Sequence, residues 1–176
     1  VIIFNEGNTP GREPLFGGTL SPPALTIPVM SASFAFGTAL NDLIDDGLKL
    51  HMVTNTFSAV LPTNNVIAET PTGRTDRVVV VGAHLDSVTE GPGIQDNGSG
   101  SAAILEIALQ MAALDIHPRN QVRFIWFSAE EAGLLGSDYY VSQLTTRQIK
   151  NIAVMLNFDM IASPNYARFV YDGDGS

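Results

Sequence analysis

Four consecutive valines, Val78 to Val81, follow Arg77 and run without polar alternation into Gly82-Ala-His84-Leu-Asp86. An unbroken β-branched run bounded by turn residues reads as a strand buried on both faces, the kind found in parallel sheets covered by helices. Such a strand ends inside the protein and delivers His84 and Asp86 to an interior edge. A Gly/Pro-rich loop then leads to Asp96, close to the start of an apolar segment, Ser101 to Leu114. A strand end and a helix start thus present polar groups to one crevice beyond the carboxyl ends of the strands, where open α/β sheets hold ligands.

The pattern downstream alternates. Within Ser101 to Leu114 the polar Glu106 and Gln110 stand four apart, which predicts a helix with a narrow wet stripe and an otherwise buried surface, closed by His117-Pro118. Val122 to Phe127 reads as a second buried strand, Leu134 to Leu144 as a helix and Ile152 to Phe158 as a third strand. This βαβαβ order predicts an α/β domain with a largely parallel sheet and right-handed crossovers.

The first part of the chain is less regular. Val1 to Phe4 is strand-like, and residues 5–25 are rich in Gly and Pro and read as loop. Thr26 to Met30 suggests a short strand, and Ser31-Ala-Ser33 an N-cap for a helix from about Phe34 to Ile44, with Gly47 ending the unit. Leu48 to Phe57 alternates as a half-exposed strand would, with Asn65 to Glu69 as its expected antiparallel neighbour. Arg168 to Tyr171 is again strand-like. Neither Val1 nor the closing Tyr171-Asp-Gly-Asp-Gly-Ser176 looks like a domain boundary, so the chain reads as a fragment.

Composition removes several classes of function. The apolar fraction, 45%, is that of a globular protein. No apolar run nears the roughly 18 residues of a membrane span, and no basic n-region precedes an apolar one as in a signal peptide. A net charge of -9 argues against nucleic acid as a partner. The absence of cysteine excludes disulfides, thiolate metal sites and cysteine nucleophiles, although it does not fix the compartment.

The residues just beyond each strand carry the chemistry: His84 and Asp86 after the first, Glu130 and Glu131 after the second, Asp159 after the third. In a parallel sheet these ends share one edge, and Asp96 joins them. One carboxylate after a strand is ordinarily a helix cap or a solvated loop residue; three such ends together are not. One imidazole with several carboxylates and no thiolate suits zinc, manganese or cobalt. Asp96 at a helix start can bridge two cations, as in hydrolases whose metals lie about 3.5–4 Å apart. Of the adjacent glutamates, one can ligate while the other takes a proton from water. Asp86 is placed to accept the second ring N–H of His84.

Gly82-Ala-His-Leu-Asp-Ser87, Gln95-Asp-Asn-Gly-Ser-Gly100, Phe127-Ser-Ala-Glu-Glu131 and Asn157-Phe-Asp-Met160 resemble, in order and spacing, the motifs of the co-catalytic zinc exopeptidases of peptidase family M28. The likeness covers about residues 48–176. It implies a three-layer α/β/α zinc-exopeptidase fold with a mostly parallel mixed sheet, and a water activated at a two-zinc centre to hydrolyse a terminal bond of a peptide or protein. By the same likeness His84 and Asp159 would hold one zinc and Glu131 the other, with Asp96 between them. Glu130 would be the general base, Asp86 would orient His84, and a cis peptide would join Asp96 to Asn97. The closeness of the Asp-Asn-Gly-Ser-Gly and Ser-Ala-Glu-Glu motifs to bacterial members favours an aminopeptidase, secreted or extracellular.

Residues 1–46 look like the C-terminal part of a protease-associated domain, leaving 47–176 as the N-terminal part of the catalytic domain. The family also needs a second histidine ligand, and neither His51 nor His117 suits: one lies on the polar side of a strand before the core, the other at the far end of a crossover. Both read as surface histidines. The same plan admits a carboxypeptidase, a glutaminyl cyclase or a non-catalytic receptor ectodomain. Gly98-Ser-Gly100-Ser-Ala-Ala103 lies too far beyond its strand for a dinucleotide fingerprint. Ser87 and Ser128 lack the G-x-S-x-G setting of a nucleophile. Asp172-Gly-Asp-Gly-Ser176 lacks the later ligands of a calcium loop, and the Asn97-Gly-Ser99 glycosylation sequon lies inside the proposed site.

Overall fold

The computed structural model describes residues 1–17, 27–55 and 61–171. It forms two compact units, Val1–Leu61 and Pro62–Ser176. In the first, strand β1 (Ile2–Phe4) pairs in parallel with β2 (Met30–Ala32). Helix α1 (Phe34–Asp42) follows at once, because the Ser33 hydroxyl accepts the Phe36 N–H at its start. Gly37 gives the Phe4 ring room to lie against that helix; a Cβ there would meet the ring. Part of the expected strand Thr26 to Met30 lies outside the described residues, and Met30 opens β2 instead of ending a strand. The alternation after residue 47 does not produce a strand: 48–55 have no regular structure, and 56–57 lie outside the described residues.

The second unit holds a four-stranded sheet. Its strands are β3 (Val66–Glu69), β4 (Arg74–His84), β5 (Asn120–Phe127) and β6 (Ile152–Asn157), in the spatial order β3-β5-β4-β6. Only β3 runs antiparallel, and it pairs with β5 rather than with the segment before residue 57. The rest is parallel, as the unbroken valines predict. Register sets the level of the strand ends: His84 lies opposite Phe127, and Gly82 opposite Asn157. The residues that follow Phe127 and Asn157 therefore emerge beside His84.

Each face of the sheet has its own apolar cluster, which is why the valine run has no polar side. Val81, Ala83, Phe124 and Trp126 pack with Ile104 of α2 (Ser99–Ala113). Val78, Val80, Ile125 and Phe127 pack with Tyr140 of α3 (Leu135–Ser142) and with Ile152. Helices on both faces give the three-layer arrangement. A short helix, α4 (Thr146–Asn151), lies between α3 and β6 and has no counterpart among the elements expected from the sequence. The expectation that α2 is buried around most of its surface needs correction. It packs through Ile104, Ala108 and Met111, positions one helical stripe apart, while Leu105, Ile107 and Leu109 are exposed. One sheet face takes up only one stripe of a helix. Residues 168–171 form no strand and are exposed, and residues 172–176 lie outside the described residues.

Candidate active site

Strand β4 runs out at His84, a residue only 4% exposed. Its carbonyl accepts the Ser101 hydroxyl of α2 at 2.6 Å, which ties the strand end to the helix start. Its ring Nδ1 lies 3.0 Å from the Asp86 carbonyl oxygen. A carbonyl can only accept, so Nδ1 carries the proton and the neutral ring leaves an electron pair on Nε2. Around that Nε2 stand Asp96 Oδ1 at 3.0 Å, Asp159 Oδ1 at 3.4 Å and Glu130 Oε2 at 3.9 Å. None is aligned for hydrogen bonding: His84 Nε2 is buried without a partner, and so is Glu131 Oε1.

Acceptors that converge on an electron pair repel one another unless a proton or a metal ion lies between them. Two groupings have the proximity a metal needs: His84, Asp96 and Asp159, and His84, Glu130 and Glu131. Imidazole and carboxylate are the ligand types of zinc, manganese or cobalt sites. The first grouping is the set expected from the sequence. The second differs, for it joins Glu131 to Glu130 and His84 instead of to Asp96. His84 Nε2 stands between the loops that bring the two carboxylate groups in.

The glutamate turn is held by residues from elsewhere in the chain. Asp86 accepts the backbone N–H of Glu130 through Oδ1 and that of Glu131 through Oδ2, both at 3.0 Å. The expectation that this carboxylate takes the His84 ring N–H is therefore corrected. Its Oδ1 is 3.6 Å from Nδ1, and the Asp86 carbonyl occupies that position. Each oxygen of the carboxylate is thus aimed at an amide of the turn. Asn65 braces the same turn from its other side, accepting the Ser128 N–H at 3.0 Å and donating to the Gly136 carbonyl at 2.8 Å. Nothing in the sequence alone marks Asn65, since its partners lie more than 60 residues away.

Asp96 lies in the turn Ile94–Gly98 ahead of α2, and its peptide bond to Asn97 is cis, as the resemblance implied. Asp159 follows β6. The charges interact strongly. Burial, the largest influence on His84, lowers its pKa, yet Asp159, Glu130, the Asp86 carbonyl and Asp96 together raise it above the ordinary value. Glu130 is also pushed up, by burial first and then by the like charges of Glu131, Asp159 and Asp86, against the opposing pull of His84. A cavity of about 320 Å³ adjoins His84, Glu130 and Asp159, with Leu134, Tyr140 and Met155 among its apolar walls. His117 takes no part. It is exposed at the opposite end of the sheet, 3.3 Å from the Thr72 hydroxyl. His51 is exposed in the first unit.

Comparison with known proteins agrees with this geometry. Residues 65–176 match the model of Peptidase family M28. The chain is 52% identical over 178 residues to an "Aminopeptidase" of Pseudomonas aeruginosa, covering 100% of this chain and 32% of that protein. It is 49% identical over 166 residues to a "Probable lipoprotein aminopeptidase LpqL" of Mycobacterium tuberculosis, covering 93% and 32%. Among solved structures, BSAP, a zinc aminopeptidase from Bacillus subtilis, superposes with a TM-score of 0.61 at 34% identity, over 91% of this chain and 37% of that one. The chain thus spans about 32% of the length of these two curated relatives.

Proposed function

The chain belongs to peptidase family M28, and from that membership we propose that it supplies most of the metal centre of an aminopeptidase, a hydrolase that removes residues from the free amino end of a peptide. On this reading His84 and Asp159 would hold one zinc and Glu131 the other, with Asp96 available to both. The observation that carries this reading is the pair of buried, unpartnered atoms, His84 Nε2 and Glu131 Oε1, set among carboxylates. Zinc bound there would supply Lewis acidity toward the scissile carbonyl and acidify a water.

The chain's own residues do the remainder. Glu130, its pKa raised from the ordinary value chiefly by burial, takes the proton of the attacking water and returns it to the leaving amine. Asp86 fixes the backbone of both glutamates, and the Asp86 carbonyl keeps the His84 ring in the tautomer whose Nε2 electron pair would be available to an ion. Residues 1–46 are read as the C-terminal part of a protease-associated domain. A secreted or extracellular location suits the relative named as a lipoprotein aminopeptidase, and no described helix is long and apolar enough to cross a membrane.

The test compares aminoacyl-anilides with N-blocked dipeptides as substrates of the full-length protein. The aminoacyl-anilides should be cleaved, the blocked dipeptides spared, and the activity lost to a chelator and regained with zinc. Cleavage of the blocked dipeptides with the aminoacyl-anilides spared would make the enzyme a carboxypeptidase of the same family.

A further inference from the structure

Asn97 is 1% exposed, and it is the largest polar side chain among those fully buried. It sits next to Asp96 in sequence, yet its side chain works on the other side of the site. Nδ2 donates to the carbonyl of Phe158 at 2.9 Å, and Oδ1 lies 3.4 Å from the N–H of Met160, so one amide group grips the residues on both sides of Asp159. The same Oδ1 accepts the N–H of Gly100 at 3.0 Å, which fastens it to the first turn of α2. A second strap runs nearby: Gln95, on the other side of Asp96, donates through Nε2 to the Met160 carbonyl at 2.8 Å.

Two carboxylates 63 positions apart in the chain are thus joined through their immediate neighbours, 95 and 97 to 158 and 160. Gly100 allows the joint to close, since a Cβ at that position would meet both the Phe158 carbonyl and the Asn97 side chain. We propose that Asn97 is a positioning residue that sets the distance between Asp96 and Asp159, so that both carboxylates reach the ion held at His84. This rests on the metal-centre reading above. A carboxylate pair that shares a cation repels itself in the metal-free protein, and a rigid brace keeps it from spreading. Neither strap donates to the carboxylates themselves, so the effect is one of geometry.

The experiment is titration of the full-length, metal-stripped protein with Co²⁺, followed by the visible ligand-field spectrum and by calorimetry. Asn97→Ala and Gln95→Ala are compared with Val78→Ala, a core variant in the apolar cluster on the other face of the sheet, six residues before His84 on β4. Asn97→Ala should weaken binding by about 10- to 100-fold, the usual cost of removing a residue that orients ligands, and should alter the spectrum. Gln95→Ala, at a half-buried position, should shift both in the same direction by less. Val78→Ala should lower the melting temperature and leave both unchanged. If the wild type binds no cobalt, the metal-centre reading fails and takes this proposal with it. If the wild type binds and a folded Asn97→Ala binds equally with the same spectrum, this proposal alone is overturned. Should Asn97→Ala not fold, an unchanged spectrum in Gln95→Ala overturns it. An equal loss of affinity in Val78→Ala would reduce Asn97 to a general contributor to stability.

Discussion

The carboxylate of Asp86 holds Glu130 by its backbone, accepting the Glu130 N–H at 3.0 Å while its second oxygen accepts that of Glu131 at the same distance. Asp86→Asn keeps the shape and one acceptor but turns an N–H donor toward an N–H donor. Leaving one backbone amide unsatisfied costs about 1–3 kcal/mol. We expect a lower unfolding free energy together with a fall in turnover, and an upfield move of the Glu130 or Glu131 amide proton in NMR spectra. Unchanged amide shifts would return Asp86 to the role of orienting the His84 ring.

The paired glutamates should part company on substitution. In the full-length enzyme, Glu130→Gln should retain its metals while losing about two to four decades of turnover, the worth of a general base. Glu131→Gln should lose metal at one site. Elemental analysis beside kinetics checks both, and equal metal loss in the two variants would reject the assignment.

Much of this is legible in the chain. The valine run announces a doubly buried parallel strand, and the three strand ends can be set on one edge because parallel order fixes which ends meet. The failures share a cause, which is reliance on partners distant in sequence. The segment from Leu48 alternates as a half-exposed strand would, but β3 pairs with β5 instead, and residues 48–55 take up no regular structure. The imidazole nearest Asp86 in sequence is two residues away, whereas its carboxylate reaches 44 and 45 positions ahead. Asn65 and Asn97 leave no local trace, since a buried amide is defined by what surrounds it. Helix α4 is different: Thr145 and Gln148 form a capping box, a signature that the sequence does carry at this spacing.

Gly100→Ala should destabilise the protein. An alanine inside a helix ordinarily gains about 0.4–1 kcal/mol over glycine, but here the methyl would press on the Phe158 carbonyl, a backbone atom that cannot swing aside. Overpacking of this kind costs about 1–3 kcal/mol, so the clash outweighs the propensity. Chemical denaturation of the variant should show a lower midpoint, and a higher one would mean that α2 and the end of β6 are not in this contact.

In the metal-stripped protein, stability should fall as pH rises through the site's titrations. The folded values of Glu130 and His84 both lie above their ordinary ones, Glu130 through burial and neighbouring carboxylates, His84 because those carboxylates outweigh the opposing effect of burial. Folding therefore favours their protonated forms. The Glu130 contribution is fully present below the unfolded glutamate value of about 4.3 and is lost as pH rises through the raised folded value; that of His84 is present below about 6.5 and lost above it in the same way. Denaturation of wild type beside Glu130→Gln across this range should show the wild type losing stability relative to the variant as the pH rises. The opposite trend would mean that Glu130 is stabilised as an anion.

In the proposed centre His84 is the residue that both acidic groupings share. Zinc stoichiometry of the full-length protein, measured by calorimetric titration after chelation for wild type and for His84→Ala, tests this role without recourse to activity. We expect two zinc ions per wild-type chain, and in His84→Ala the loss of the site shared with Asp96 and Asp159. Wild-type protein that binds no zinc, or a His84→Ala variant that binds it as tightly as wild type at both sites, would show that His84 does not hold the centre together.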